Sequence, residues 1–213
     1  MIVWGRLAPG TRIVEAEIAD RLGVSRTPTR SAIHRLQQEG YITPLDRAKE
    51  RRLIVAPLTQ EDARELFEIV GQLEGLAARG AALLESRPRA VVVQRLRRLN
   101  TDLGAAARQR RPDAMGIFEL DMTFHRAYVE AGSGPRLLAL HAATKPQAER
   151  YVRLYITSLI DEIATSVAEH NVIVQAIDAG DSIAAQQAVG SNWKNAALRL
   201  SKVIQSLGER GSW

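Results

Sequence analysis

The chain has 213 residues, a formal net charge of +5 and no cysteine. That length buries one good core, or a large and a small one. The lack of thiols excludes disulfides, thiolate metal sites, iron–sulfur clusters and cysteine nucleophiles. No apolar run approaches the length of a membrane span, the first residues lack a signal-peptide core, and aromatics make up only 5 %. A mainly helical, cytoplasmic protein is the expectation. The positive charge favours a polyanionic partner only weakly, because much of the arginine lies beyond the first segment.

In chain order, Pro9-Gly10 marks a turn and Val14, Ile18 and Leu22 share one side of a short helix. The stretch from Leu22 to Gly40, LGVSRTPTRSAIHRLQQEG, then reads as the turn and second helix of a helix-turn-helix. Gly23 can take the left-handed conformation that ends the first helix. Ser25 can cap the next, and Pro28 falls in its first turn, where a missing N–H is harmless. Thr29, Ala32, Ile33 and Leu36 lie on one side at helical spacing, and Arg30, His34 and Gln37 on another. Arg26 and Thr27 stand at the helix start, where phosphates and base edges would be met. An ordinary amphipathic helix with solvated arginines is the alternative; the coincidence of cap, turn and basic N-terminus decides against it. After Gly40, Tyr41–Thr43 and Leu53–Val55 are β-rich and flank the charged tip DRAKERR. Two strands around such a tip make a wing, whose Arg47, Lys49, Arg51 and Arg52 would touch phosphates.

Pro57 closes this domain, so the expected division is 1–57 and 58–213. Thr59 and Asp62 have the spacing of a capping box. From there only helical periodicity remains. Helices are expected from about 60 to 86, 88 to 110, 113 to 132, 135 to 158, 161 to 179 and 181 to 207, punctuated by Pro88, Pro112, Gly132-Ser133-Gly134 and Gly180. Pro146 should kink the fourth. Six such helices make an antiparallel bundle.

The first domain, LAPGTRIVEAEIADRLGVSRTPTRSAIHRLQQEGYI, closely resembles the winged helix of GntR-type bacterial transcription regulators. The remainder resembles the helical ligand-binding FCD domain of the FadR branch, on ELFEIVGQLEGLAARGAA, ELDMTFHRAYVEAGSGPRL and EHNVIVQAIDAGDSIAAQQAV. Six helices rather than seven resemble the VanR-type group. The resemblance implies that Ser25, Arg26, Thr27 and Arg30 lie at the DNA backbone and major groove. It also implies a homodimer on a palindromic operator in double-stranded DNA. Relatives carry a whole helix before the segment VWGRLAPG, of which Ile2, Val3, Trp4 and Leu7 would be the last turn. Weak DNA binding is therefore expected unless that helix is restored, and operator affinity with and without an upstream extension checks it.

Asp121 and His125 stand four apart on one helix, His170 on a later one and Asn192 on the last. Many FCD domains hold a divalent metal, zinc or nickel, with one aspartate and three histidines. The first three positions match here and the fourth is Asn192, which binds through its oxygen, yields to a water, or marks a lost site. By the same resemblance a small organic acid completes the metal shell. Arg126, Arg150, Tyr151 and Arg153 are the candidate effector contacts. Where relatives carry an arginine four residues before Glu74, this chain has Val70.

The resulting expectation is a ligand-responsive DNA-binding repressor released by a small carboxylate. One rival is a metal-dependent hydrolase or isomerase on Asp121, His125 and His170, with Glu119, Glu169 or Asp178 as base. The other is an effector-free DNA-binding dimer.

Overall fold

The computed structural model of the chain describes residues 1–47 and 50–211, with the side chains of all of these except 46, 47, 50 and 51. Two compact units result, one from Met1–Gln60 with the C-terminal tail from Leu207, the other from Glu61–Ser206. The tail joins the first unit because Leu58 and Arg210 exchange backbone hydrogen bonds of 2.8 and 3.1 Å.

In the first unit, α1 (Glu15–Leu22) and α2 (Arg26–Gln38) are joined by a turn in which Gly23 has φ +66°. Its N–H and that of Val24 return to the carbonyls of Asp20 and Ala19. A side chain at Gly23 would resist that left-handed backbone. Ser25 occupies the N-cap position of α2, but its hydroxyl makes no capping bond; its carbonyl instead accepts from Thr29 Oγ1 at 3.0 Å. The wing is a hairpin of β2 (Ile42–Arg47) and β3 (Glu50–Val55), longer than the β-rich residues alone suggest because the ladder continues through Leu45↔Arg52 into the charged tip. β1 (Arg12–Ile13) adds to β3, giving the order β1-β3-β2. Ile2, Ile13, Ile33, Tyr41, Ile42 and Val55 form the core. An apolar cleft opens beside it, lined by Ile2, Leu7, Ile18, Leu22, Ala32 and Leu36. That is why Leu22 and Ala32, on the apolar sides of their helices, remain exposed.

Among its described residues, the second unit is built from α3 (Gln60–Ala82), α4 (Ser86–Ala107), α5 (Ala114–Gly132), α6 (Pro135–Leu159), α7 (Ile163–Ala179) and α8 (Ser182–Leu207), with a 3₁₀ turn at Ile160–Glu162. Asp113 caps α5 by accepting from Met115 N–H at 3.1 Å, and Pro135 opens α6 at its first turn. α6 runs through Pro146 without ending. Asp62 accepts a hydrogen bond of 2.5 Å from Tyr151 on α6. No described helix is long and apolar enough to cross a membrane.

α3 meets α5 backbone to backbone. Ala77, Ala78, Ala81 and Ala82 are fully buried, and a Cβ on Gly132 would overlap the carbonyl oxygen of Ala77. A Cβ on Gly80 would overlap that of Gly132. Main chain cannot swing aside as a flexible side chain does. Gly132→Ala is therefore expected to destabilise the unit by about 3 kcal/mol, lowering the unfolding temperature by roughly 6–12 °C. A thermal melt within a degree or two of wild type would refute the close crossing.

Candidate functional site

The second unit buries an unusual amount of polar chemistry. Glu74 comes from the apolar face of α3 and has no solvent exposure. Its Oε2 accepts from His125 Nδ1 and Tyr128 Oη at 2.6 Å each and from Trp193 Nε1 at 2.9 Å. Its Oε1 accepts from Lys145 Nζ at 2.7 Å and His141 Nε2 at 3.0 Å. Burial opposes ionisation of Glu74, but Lys145 and His125 outweigh it and hold the carboxyl well below its usual range. Lys145 is itself buried and lies 4.2 Å from the centre of the Trp193 ring.

An ionised carboxylate only accepts, so His125 presents Nδ1–H to Glu74, which leaves Nε2 for the other side. His170 is fixed the same way. Asn100 donates both amide hydrogens, to the Val167 carbonyl at 3.0 Å and Asn171 Oδ1 at 2.9 Å. Its own Oδ1 is left to accept from His170 Nδ1 at 3.1 Å. The His170 ring stacks on Phe124, 3.9 Å between centres and 8° between planes. Its Nε2 then lies buried without a hydrogen-bond partner, 3.6 Å from Asp121 Oδ1. One donor atom each from Asp121, His125 and His170 falls within 4.8 Å of the others. Burial pushes the Asp121 carboxyl up and the His170 imidazole well down. An unprotonated imidazole nitrogen aimed at a carboxylate, with the far ring nitrogen tied down, is the donor set that a divalent cation requires.

These three residues line a small cavity of about 60 Å³, room for an ion and a few water-sized groups. Its walls are apolar, from Phe67, Met122, Val152, Ile156, Ile163 and Leu200. Asn192, Ser166, Glu162 and Arg199 supply the remaining polar lining. Glu169 behind it accepts from Asn192 Nδ2 at 2.7 Å, Asn195 Nδ2 at 2.9 Å, and Arg199 at 2.8 and 3.1 Å.

Family models place the pieces. The model described as bacterial regulatory proteins, gntR family, matches residues 1–48, and that of the FCD domain matches 65–194. This chain belongs to the GntR family and carries an FCD domain. The regulator is similar to an uncharacterised HTH-type transcriptional regulator of Agrobacterium vitis, 36 % identical over 121 residues, which cover 57 % of this chain and 68 % of that one. It is also similar to the "Probable D-xylose utilization operon transcriptional repressor" of Paenarthrobacter nicotinovorans, 30 % identical over 189 residues, with 88 % and 78 % covered. Escherichia coli McbR/YncC shares the fold at a TM-score of 0.67 and 18 % identity, covering 97 % of this chain and 93 % of that one. The "putative transcriptional regulator GntR" of Rhodococcus sp. RHA1 does so at 0.66 and 22 %, with 93 % and 91 % covered. GntR regulators bind DNA and effector ligands and usually dimerise, and the relatives are regulators rather than enzymes.

In the regulator's first unit, Ser25, Arg26, Thr27, Arg30 and His34 are all exposed at the start and along one side of α2. Arg30 is held by Glu15 of α1 through two bonds of 2.9 and 3.1 Å. Lys49 and the side chain of Arg47 lie outside the described residues. Arg126, Arg150, Tyr151 and Arg153 do not gather around the cavity. Arg126 is exposed on α5 and Arg150 is buried in α6 away from the cavity lining. Tyr151 binds Asp62, and Arg153 lies 4.4 Å over Phe118 and 3.4 Å from Glu119. The helical register of α6 turns Val152 and Ile156 inward instead, so Arg199 of α8 is the cation on the cavity wall. The bases considered for an enzyme are spoken for: Glu119 faces Arg153, Asp178 pairs with Arg97 at 2.6 Å, and Glu169 is held from α8.

Sequence reasoning placed Asp121, His125 and His170 but not Glu74, Lys145 or Asn100. A lone Glu between Val70, Leu73 and Ala77 on an apolar stripe was the available signal for the first.

Proposed function

We propose that the regulator is a repressor released from a palindromic operator when a small carboxylate enters the FCD cavity. Asp121, His125 and His170 would hold a divalent metal there, and such an ion supplies charge and open coordination positions to a carboxylate. The chain's own contribution is orientation. Glu74 and Asn100 hold Nδ1 of the two imidazoles, which leaves the far nitrogen of each for a ligand. The partnerless Nε2 of His170 carries this reading, since a buried imidazole nitrogen left idle needs a ligand. The apolar walls suit the carbon skeleton of the acid. A homodimer places two α2 helices on two half-sites, and the effector shifts the population toward a spacing that no longer matches both.

Thermal unfolding with a panel of small carboxylic acids, metal-loaded and after chelation, tests the site. An acid at about 100 times its dissociation constant adds roughly 2.7 kcal/mol, several degrees for a domain of this size. A shift seen only with metal, together with release of operator DNA by the same acid, is the expected result. A shift that survives chelation would sink the metal-assisted reading, and no shift across the panel would sink the carboxylate.

A further inference from the structure

The first unit is closed by two separate stretches of chain, Met1–Gln60 and the tail from Leu207. The chain therefore enters the FCD unit through α3 and leaves it through α8. Both helices wall the cavity, α3 with Phe67 and α8 with Trp193, Arg199 and Leu200. Phe67 and Leu200 each stand about two turns from the end of the helix where the chain crosses over. Beyond α8 the tail is fastened by backbone as much as by side chain. Arg210 and Leu58 form a short antiparallel bridge, and Glu209 Oε1 accepts from the N–H of Gln60, the first residue of α3, at 2.9 Å. Gly211, at φ +77°, lies against the main chain of Pro9 and Gly10, where a Cβ would overlap. That loop is bonded in turn to the wing. Gly10 N–H donates to the Val55 carbonyl and Val55 N–H to the Thr11 carbonyl, both at 2.9 Å. Chain ends fray unless something ties them down, and this one is tied to the base of β3.

We infer that the tail is a strap through which α8 passes the state of the FCD cavity to the winged helix. A single crossing at Gln60–Glu61 would act as a swivel, since each residue there has two soft backbone dihedrals. The Leu58–Arg210 bridge and the Glu209–Gln60 bond clasp the second crossing to the first and remove that freedom. A shift of α8 against α3 at the cavity must then break the clasp or carry the base of β3 with it. The inference takes the cavity as the effector site from the reading above, but the strap is tested without an effector.

Three strap variants release the tail by different means. Gly211→Val does so by overlap with main chain and by the left-handed backbone. Arg210→Pro removes the N–H that the Leu58 carbonyl accepts, and a chain ending at Leu207 lacks the tail. Arg210→Ala is the control, because the bridge uses backbone alone and the side chain is exposed. Two inputs act on the FCD unit only: saturating Ni²⁺, which adds stability when the triad binds it, and Gly132→Ala, which removes stability. The readout is amide hydrogen exchange at α2 and β3 of the first unit. In wild type and Arg210→Ala, exchange there should slow with Ni²⁺ and quicken with Gly132→Ala, by about tenfold in each direction. In the strap variants it should follow neither input, while the FCD amides still follow both. A tail that serves only the stability of the first unit would quicken exchange in every strap variant yet leave the response to both inputs intact. That result overturns the strap, as does a wild-type first unit that ignores inputs to which the FCD amides respond. If Ni²⁺ leaves the FCD amides unchanged, while Gly132→Ala reaches the first unit only with the tail in place, the metal reading falls and the strap stands.

Discussion

Glu74→Ala is expected to destabilise the FCD unit by about 3–5 kcal/mol, the range for breaking a buried ion pair from one side. The loss is larger than a volume argument gives, because the donors that surround Glu74 stay behind. Lys145 would keep a buried charge with no carboxylate within reach, and Tyr128, Trp193 and both histidines would each lose an acceptor. Lys145→Met should be clearly milder. It leaves Glu74 with four donors, and an unbranched apolar side chain can keep the contact with Trp193. The order of the two variants in urea unfolding is the discriminating measurement. If Lys145→Met proved as damaging as Glu74→Ala, the view of Glu74 as a hub rather than half of a pair would be wrong. Loss of Glu74 should also release His125 Nδ1, so metal affinity should fall in any fraction that remains folded.

The six bundle helices were legible because their ends carry chemistry of their own: Pro88, Pro112, Pro135 and Gly180 each sit within two residues of an observed helix terminus. β1 was not legible. Two residues have no periodicity, and Arg12–Ile13 become a strand only by pairing with Ile54 and Leu53, some forty residues later. The capping role expected of Ser25 failed for a related reason. The position was read correctly, but the bond there belongs to Thr29 and the Ser25 carbonyl. At the site, spacing put Asp121 and His125 on one helix face, and the family resemblance added His170 to the candidate triad. The triad's supports were legible from neither, since Glu74 meets partners 51 to 119 residues away on three other helices. A glutamate in a sequence reads as solvated until burial is known. The effector contacts failed on register: Arg150, Tyr151 and Arg153 flank Val152, which takes the inward position.

On the DNA side, Arg30→Ala is expected to lower affinity for the operator by about 1–3 kcal/mol, the value of one well-placed arginine contact. Arg30 is 76 % exposed even while paired with Glu15. An exposed pair of this kind contributes little to folding, so the guanidinium can exchange the carboxylate for DNA with small loss. Glu15 sets the terms of that exchange. On random DNA its negative charge opposes the phosphates, and only a base edge matched to Arg30 repays the broken pair. Glu15→Gln should therefore tighten binding to random DNA while changing operator affinity little. Both substitutions lower the ratio of specific to non-specific affinity, but from opposite sides: Arg30→Ala by losing the operator, Glu15→Gln by gaining everything else. Arg26→Ala, at the first turn of α2, should weaken all sequences alike and reduce the salt slope by about one. Fluorescence anisotropy on operator and scrambled duplexes across a salt series separates the three patterns. Equal losses on both duplexes for Arg30→Ala would assign Arg30 to the phosphate backbone rather than to a base.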